Sequence, residues 1–304
     1  MNTIAQDQNT EKELERLAAQ RYLYSRAKRV SAIQVALDLI TPIVIATVIV
    51  ISPNFDVYGA FISVAVAVLD VTLETYQSSR KKQAADIQEI FDCDVLKLES
   101  HELKKRRRPL TETIFEAAKS YKRKDPNFSA LKNWYPPIVE KIPMQLARLV
   151  CQRLNCWWDS QLRRRYIQAV GAVLLILFFF VLLLSLINGL TLGKFFLAVL
   201  FPLLPTFIWG IREYLHQNEA ADDKDELRKY AEELWEKAIS GEYTVEKINE
   251  ESRILQDEIY NNRRTNPFIL DWFYNRLKRK NEEQMNVKAQ ELVDEVLQSL
   301  NKKP

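Results

Sequence analysis

Residues able to do chemistry are sparse in this chain, and their neighbours are wrong for catalysis. The two histidines, His101 and His216, are far apart, with no cysteine or carboxylate at metal-ligand spacing. Six glycines in all leave no room for a Gly-rich phosphate loop. Asp92, Asp94 and Glu102-Leu103-Lys104 loosely imitate the acid–lysine cluster of a nuclease, but such sites sit on strands and this stretch reads as helix. Cys151 and Cys156 lack a nearby histidine to activate a thiolate. These residues argue against an enzyme and ask for no metal and no cofactor. More telling are the acids inside apolar runs: Asp38, close to Thr41, Pro42 and Thr47, and then Asp70 and Glu74, flanking Thr72. A charge in such a run is costly unless it faces a bundle interior or water.

The elements that carry those acids are membrane segments. Gly171 to Ile187 reads GAVLLILFFFVLLLSLI, with no charge and with Ser185 as its one polar side chain. Extended back to Tyr166, it has the ~20 residues needed to cross a ~30 Å hydrocarbon core. A second apolar run, Phe195 to Ile211, follows a short connector that carries Gly189 and Gly193. Ala32 to Ile51 and Tyr58 to Thr75 form an earlier, less apolar pair joined by Ser52-Pro53-Asn54-Phe55-Asp56-Val57. A mean hydropathy of −0.22 conceals this pattern, because the apolar residues are concentrated in these runs. Few glycines and helical spacing throughout predict an all-α integral membrane protein with four transmembrane helices in two hairpins.

Positive charge sets the orientation. The two connectors hold one lysine, Lys194, whereas the opposite flanks hold Arg21 to Arg29, Arg80-Lys81-Lys82, Arg163-Arg164-Arg165 and Arg212. The positive-inside rule then places both termini and the segment between the hairpins in the cytoplasm. The expected organisation is a cytosolic N-terminal amphipathic helix over 1–31, hairpins over 32–76 and 166–211, and cytosolic helical segments over 77–165 and 212–304. Residues 1–10 read as a loose polar lead, with Thr10 as a helix cap. Ala84, Ile87, Ile90, Phe91, Leu96 and Leu98 carry the second membrane helix on into the cytosol, and Lys104 to Pro109 reads as a solvated or lipid-facing basic patch. Thr111 opens a short helix, and Gly241 ends a long one that continues from the fourth span. Val245, Ile248, Ser252, Leu255 and Ile259 form the seam of the next helix, and Asn266-Pro267 reads as the cap and first turn of the last. The net charge of +3 is too small to argue for DNA or RNA binding by the whole protein.

Three signatures have a familiar order. Ile87-Gln88-Glu89-Ile90-Phe91-Asp92 follows the second membrane segment, and Cys151-Gln152-Arg153-Leu154-Asn155-Cys156-Trp157-Trp158-Asp159 precedes the third. Arg263-Arg264-Thr265-Asn266-Pro267-Phe268-Ile269-Leu270-Asp271-Trp272-Phe273-Tyr274 lies near the end. With Asn133-Trp134-Tyr135 and the two-plus-two membrane layout, the chain resembles the SMODS-associating four-transmembrane effectors from about residue 10 to 300. The resemblance implies a bacterial antiphage effector of the cyclic-oligonucleotide signalling type. A partner nucleotidyltransferase would make the messenger, and this protein would then disrupt the inner membrane. A scaffold that binds a protein partner through its cytosolic helices is the other class of function the sequence allows.

On that implication, an anionic cyclic nucleotide needs guanidinium groups for phosphate and flat apolar faces for its bases. The best candidate clusters are Arg153, Asn155 and Trp158, and then Arg263, Arg264 and Asn266, with the backbone N–H groups of a helix start at Pro267 in support. The gate candidates are Asp38, Pro42, Asp70 and Glu74. Asp38 falls about 9 Å into the first span and Asp70 about 10 Å from the cytoplasmic end of the second, so the two share a depth. Four helices fill their own core, so a pore requires a homo-oligomer in the lipid bilayer.

Overall fold

The computed structural model describes residues 2–51, 56–99, 111–187, 189, 191–196 and 200–301. Among these the regular structure is entirely helical, with no strand. The order is α1 (Ile4–Asp7), α2 (Glu11–Ile51), α3 (Asp56–Leu96), α4 (Thr111–Lys122), a 3-10 turn (Pro137–Lys141), α5 (Met144–Ile187), α6 (Leu192–Phe195), α7 (Phe201–Ser240), α8 (Val245–Thr265) and α9 (Asp271–Asn301).

Four helices dominate: α2 and α3 with 41 residues each, α5 with 44 and α7 with 40. At 1.5 Å per residue each is about 60 Å long, twice the hydrocarbon thickness of a bilayer. Each is two helices in one by composition. One half carries exposed Ile, Val, Leu and Phe, such as Phe61, Val68, Ile176 and Phe180. The other half is buried in a helical body. In α3 and α5 the most apolar 18-residue windows meet the length and composition of a membrane span, and only 6% of each window is buried. That exposure is the opposite of what the core of a soluble protein would show.

The long helices pair antiparallel. Arg16 of α2 meets Asp94 of α3 at 2.6 Å, and further along Gln34 donates to Asp70. Arg153 of α5 meets Glu232 of α7, Ser160 bonds Asp225, and Phe178 packs edge-on to Phe207. Gly210 lets α5 and α7 approach closely, since a Cβ there would lie 2.5 Å from Leu174 Cδ1.

The body has one main core. It draws Leu17 from α2, Ile87 and Phe91 from α3, Ala117 from α4, Leu149 and Leu154 from α5, Trp235 from α7 and Val293 from α9. The segments before and after the second apolar pair therefore fold together. Helix ends follow local chemistry. Gly241, at φ 81°, takes the left-handed position that ends α7, and Thr244 caps α8 by accepting from the Lys247 N–H. On α8, Ile248, Ser252, Leu255 and Ile259 are buried and Val245 is exposed.

Two local expectations are corrected and one is qualified. The lead is not loose: Ile4 is fully buried, Asn2 donates to the Val139 and Ile142 carbonyls, and Gln8 exchanges two hydrogen bonds with the Tyr135 backbone. Thr10 does stand at the cap position of α2, where its carbonyl accepts from the Leu14 N–H at 2.9 Å, but its hydroxyl donates back to the Asp7 carbonyl. The last helix starts at Asp271, not at Pro267, and the residues between are linker, with Asn266 extended (φ −54°, ψ 144°) as a residue before proline prefers. The basic patch at 104–109 and most of the 52–57 connector lie outside the described residues.

Candidate functional site

A cavity of about 520 Å³ opens in the body where the long helices leave their apolar halves. Its size is that of small-ligand sites, roughly 300–1,000 Å³. Helical spacing explains how it is lined. Asn155, Trp158, Asp159, Leu162 and Arg163 recur at three- and four-residue steps and share one face of α5. Arg21, Tyr24 and Lys28 do the same on α2, and Lys81 and Gln88 on α3. Lys224 enters from α7, Arg263 from α8, Phe268 from the α8–α9 linker and Tyr274 from α9.

The lining is basic and aromatic. Arg21, Lys28, Lys81, Arg163, Lys224 and Arg263 face Asp159 and Asp271, and flat surfaces come from Trp134, Trp158, Phe268 and Tyr274. Trp158 and Tyr274 lie with ring centroids 6.2 Å apart, and the Arg21 guanidinium sits 4.3 Å above the Tyr274 ring. Burial and the neighbouring Arg163 and Lys82 push Lys81 down to about 8. Lys28 is also pushed down by burial, although Asp271, 2.8 Å away, opposes the shift. Burial works against the charge of Asp159, yet Arg163 and Lys224 hold its carboxyl below the usual range.

The linker closes one side. Lys81 donates to the Thr265 and Asn266 carbonyls at 3.1 Å, Arg163 to the Pro267 carbonyl at 3.1 Å, and Gln217 to the Phe268 carbonyl at 2.7 Å. These contacts keep the linker extended. The phosphate donors expected of a helix start at Pro267 are absent, because the first turn of α9 lies further on.

Of the two clusters expected from sequence, Asn155, Trp158, Arg263 and Asn266 line this cavity together. Arg153 and Arg264 do not. Arg153 pairs with Glu232 at 2.8 Å, and Arg264 donates to the Tyr260 hydroxyl and lies 3.8 Å from Asp86. Arg263 has two roles. It lines the cavity and forms an ion pair with Asp92, which is fully buried and also accepts from Tyr135 at 2.7 Å and Gln256 at 2.9 Å. Sequence reasoning missed Arg21, Lys28, Lys81 and Arg163 as lining residues, since they read only as charges flanking the membrane. Lys224 was also missed. Its signal was its place on the buried face of α7 that carries Ala220, Ala221 and Ala231.

The acids of the first apolar pair are arranged unequally. Asp70 is half-buried and accepts from Gln34, to which Gln77 in turn donates. Asp38 and Glu74 are exposed on the outside of the pair. Thr72 bonds the Val68 carbonyl of its own helix and holds no acid. Pro42 lies within the continuous α2 helix. Among the described residues no group of three or more His, Cys, Asp or Glu is placed to hold a metal ion, and Cys93, Cys151 and Cys156 are buried and free.

Exposed apolar helices that run into a helical body with a basic cavity define a helical membrane protein. The chain belongs to the family of the SMODS-associating 4TM effector domain, whose model matches residues 2–292. It is also similar to a probable CBASS effector molecule of Bacillus cereus strain VD146, 22% identical over 93% of this chain and 95% of that protein. No solved structure is significantly similar to it.

Proposed function

We propose that this protein is the membrane-disrupting effector of a bacterial antiphage system, opened by a cyclic oligonucleotide messenger that binds in the cavity. The carrying observation is the site's position and chemistry: a basic, aromatic-lined cavity touched by α2, α3, α5 and α7 close to where their apolar halves begin. Phosphodiester charge suits the basic groups, and the bases suit Trp158 and Tyr274. A partner nucleotidyltransferase supplies the messenger. Four spans arranged as two hairpins, both termini cytoplasmic, place the cavity on the side where the messenger is made.

Coupling follows from competition. Messenger phosphates displace the linker carbonyls from Lys81 and Arg163, which stand just inside the second and third spans. Freed of those contacts, the linker no longer ties α3 to α5. The pore itself requires several copies. Exposed Asp38 and Glu74 on a lone protomer would face lipid, at up to about 3 kcal/mol for a charge at depth. In a homo-oligomer the same faces line water.

Calorimetry of the detergent-solubilised protein against a panel of cyclic di- and trinucleotides tests the site. One messenger binds the parent, and Trp158→Ala weakens it about fivefold or more, the loss of one base stack of about 1–3 kcal/mol. Arg153→Ala, away from the cavity, leaves affinity unchanged. Equal binding by Trp158→Ala and the parent would place the messenger elsewhere.

A further inference from the structure

Lys224 is the anomaly of the cavity. It is 1% exposed, it lines the cavity from α7, and among the described residues it has no hydrogen bond or ion pair. Asp159, the acid that faces the same space, is engaged by Arg163 at 3.1 Å. Two neighbours on the cavity wall also have hydrogen-bonding capacity unfilled: Arg263 Nη2 and Asn266 Nδ2 are buried donors without acceptors. An unpaired buried cation is among the most unfavourable groups a fold can keep, and a buried donor without a partner costs about 1–3 kcal/mol. Asp159 feels the Lys224 charge without a direct bond, and a cavity wall with three donors that lack a hydrogen-bond partner suits an anion with several acceptor oxygens.

We infer that Lys224, with Arg263 and Asn266, forms an anion subsite on the cavity wall that takes a phosphoryl oxygen of the ligand. This deepens the messenger reading and rests on it for the ligand's identity, but the subsite can be tested by itself. Burial pushes the Lys224 ammonium below its ordinary range, and a bound phosphodiester restores the charge. Lys224 is then a specificity residue. It makes no direct hydrogen bond or ion pair in the empty protein and selects ligands that bring phosphate to the α7 side of the cavity.

The test uses the full-length protein in detergent and follows its thermal midpoint with pyrophosphate, with chloride at matched ionic strength, and with the cyclic dinucleotide panel. The parent midpoint rises with pyrophosphate beyond the chloride control, as for any ligand that binds only the folded state. Lys224→Met, similar in length and uncharged, melts at or above the parent when empty and needs at least about tenfold more pyrophosphate for the same rise. Lys224→Arg keeps the response. A Lys224→Met protein that fails to fold, or that responds to pyrophosphate as the parent does, overturns the inference, as does a parent with no pyrophosphate response. A pyrophosphate response that Lys224→Met loses, with no cyclic dinucleotide binding at all, keeps the subsite and removes the messenger reading. Messenger binding that Lys224→Met leaves unchanged does the reverse.

Discussion

Arg263→Ala is expected to destabilise the body by about 3–5 kcal/mol, the effect of breaking a buried ion pair on one side. Asp92 is fully buried, and the Arg263 side chain is only 9% exposed. Tyr135 and Gln256 remain as donors after the change, but neither carries the compensating charge. The loss spreads, because Gln256 also bonds Glu89, and Glu89 pairs with Arg253 at 2.6 Å. α3 and α8 carry this network, and α5 joins it through Gln152, which donates to Gln256 at 3.2 Å, so a defect at Asp92 loosens the cavity from behind. The measurement is the thermal midpoint of the solubilised protein. Arg263→Ala lowers it by many degrees, and adding Asp92→Asn, which removes the orphaned charge, recovers part of the loss. A midpoint within a degree or so of the parent would show that the pair does not hold the fold. For the same reason Arg263→Ala is a poor probe of ligand contact, and Trp158 and Lys224 are better ones.

The second large effect concerns the acids of the first apolar pair. In planar bilayers, Asp38→Asn and Asp70→Asn proteins that still insert and bind messenger are expected to lose most of the parent's preference for cations over anions. Rings of carboxylates along a water-filled path set such a preference, and the amide removes the charge while keeping the shape. The two residues separate the possible roles. Asp70 accepts from Gln34 within its own protomer, so a purely structural task is open to it, and an Asn there can still accept that bond. Exposed Asp38 has no such contact among the described residues and is the sharper test. Unchanged selectivity and unit conductance in both variants would place the acids off the path.

Much of this architecture was legible because it depends on local rules. The run-on of α3 into the body, which stops at Leu96 and leaves Leu98 outside the helix, and the stop of α7 before Gly241 both follow from periodicity and capping. The site was half legible. Asn155 and Trp158 stand three apart on α5, and Arg263 and Asn266 three apart at the end of α8, so each pair shares a side of its helix. Arg153 and Arg264 could not be told from Arg263 in the sequence, since what separates them is tertiary: Glu232 claims one, Tyr260 and Asp86 the other. The Asn266-Pro267 helix start failed for a similar reason. Lys81, Arg163 and Gln217, all remote in sequence, hold the carbonyls of residues 265–268 and delay the helix to Asp271. The arginines and lysines near the spans carried a topology signal strong enough to hide their second role in lining the cavity.

The central claim is that ligand occupancy of the cavity opens the membrane. Release of a small dye and of potassium from liposomes containing the purified protein tests it most directly, with each cyclic nucleotide of the panel added in turn. No release is expected without nucleotide, release with one messenger, and none at that concentration from Trp158→Ala in the same liposomes. A messenger that binds the reconstituted parent in calorimetry yet releases neither dye nor ion would contradict it and leave a membrane-anchored scaffold in its place.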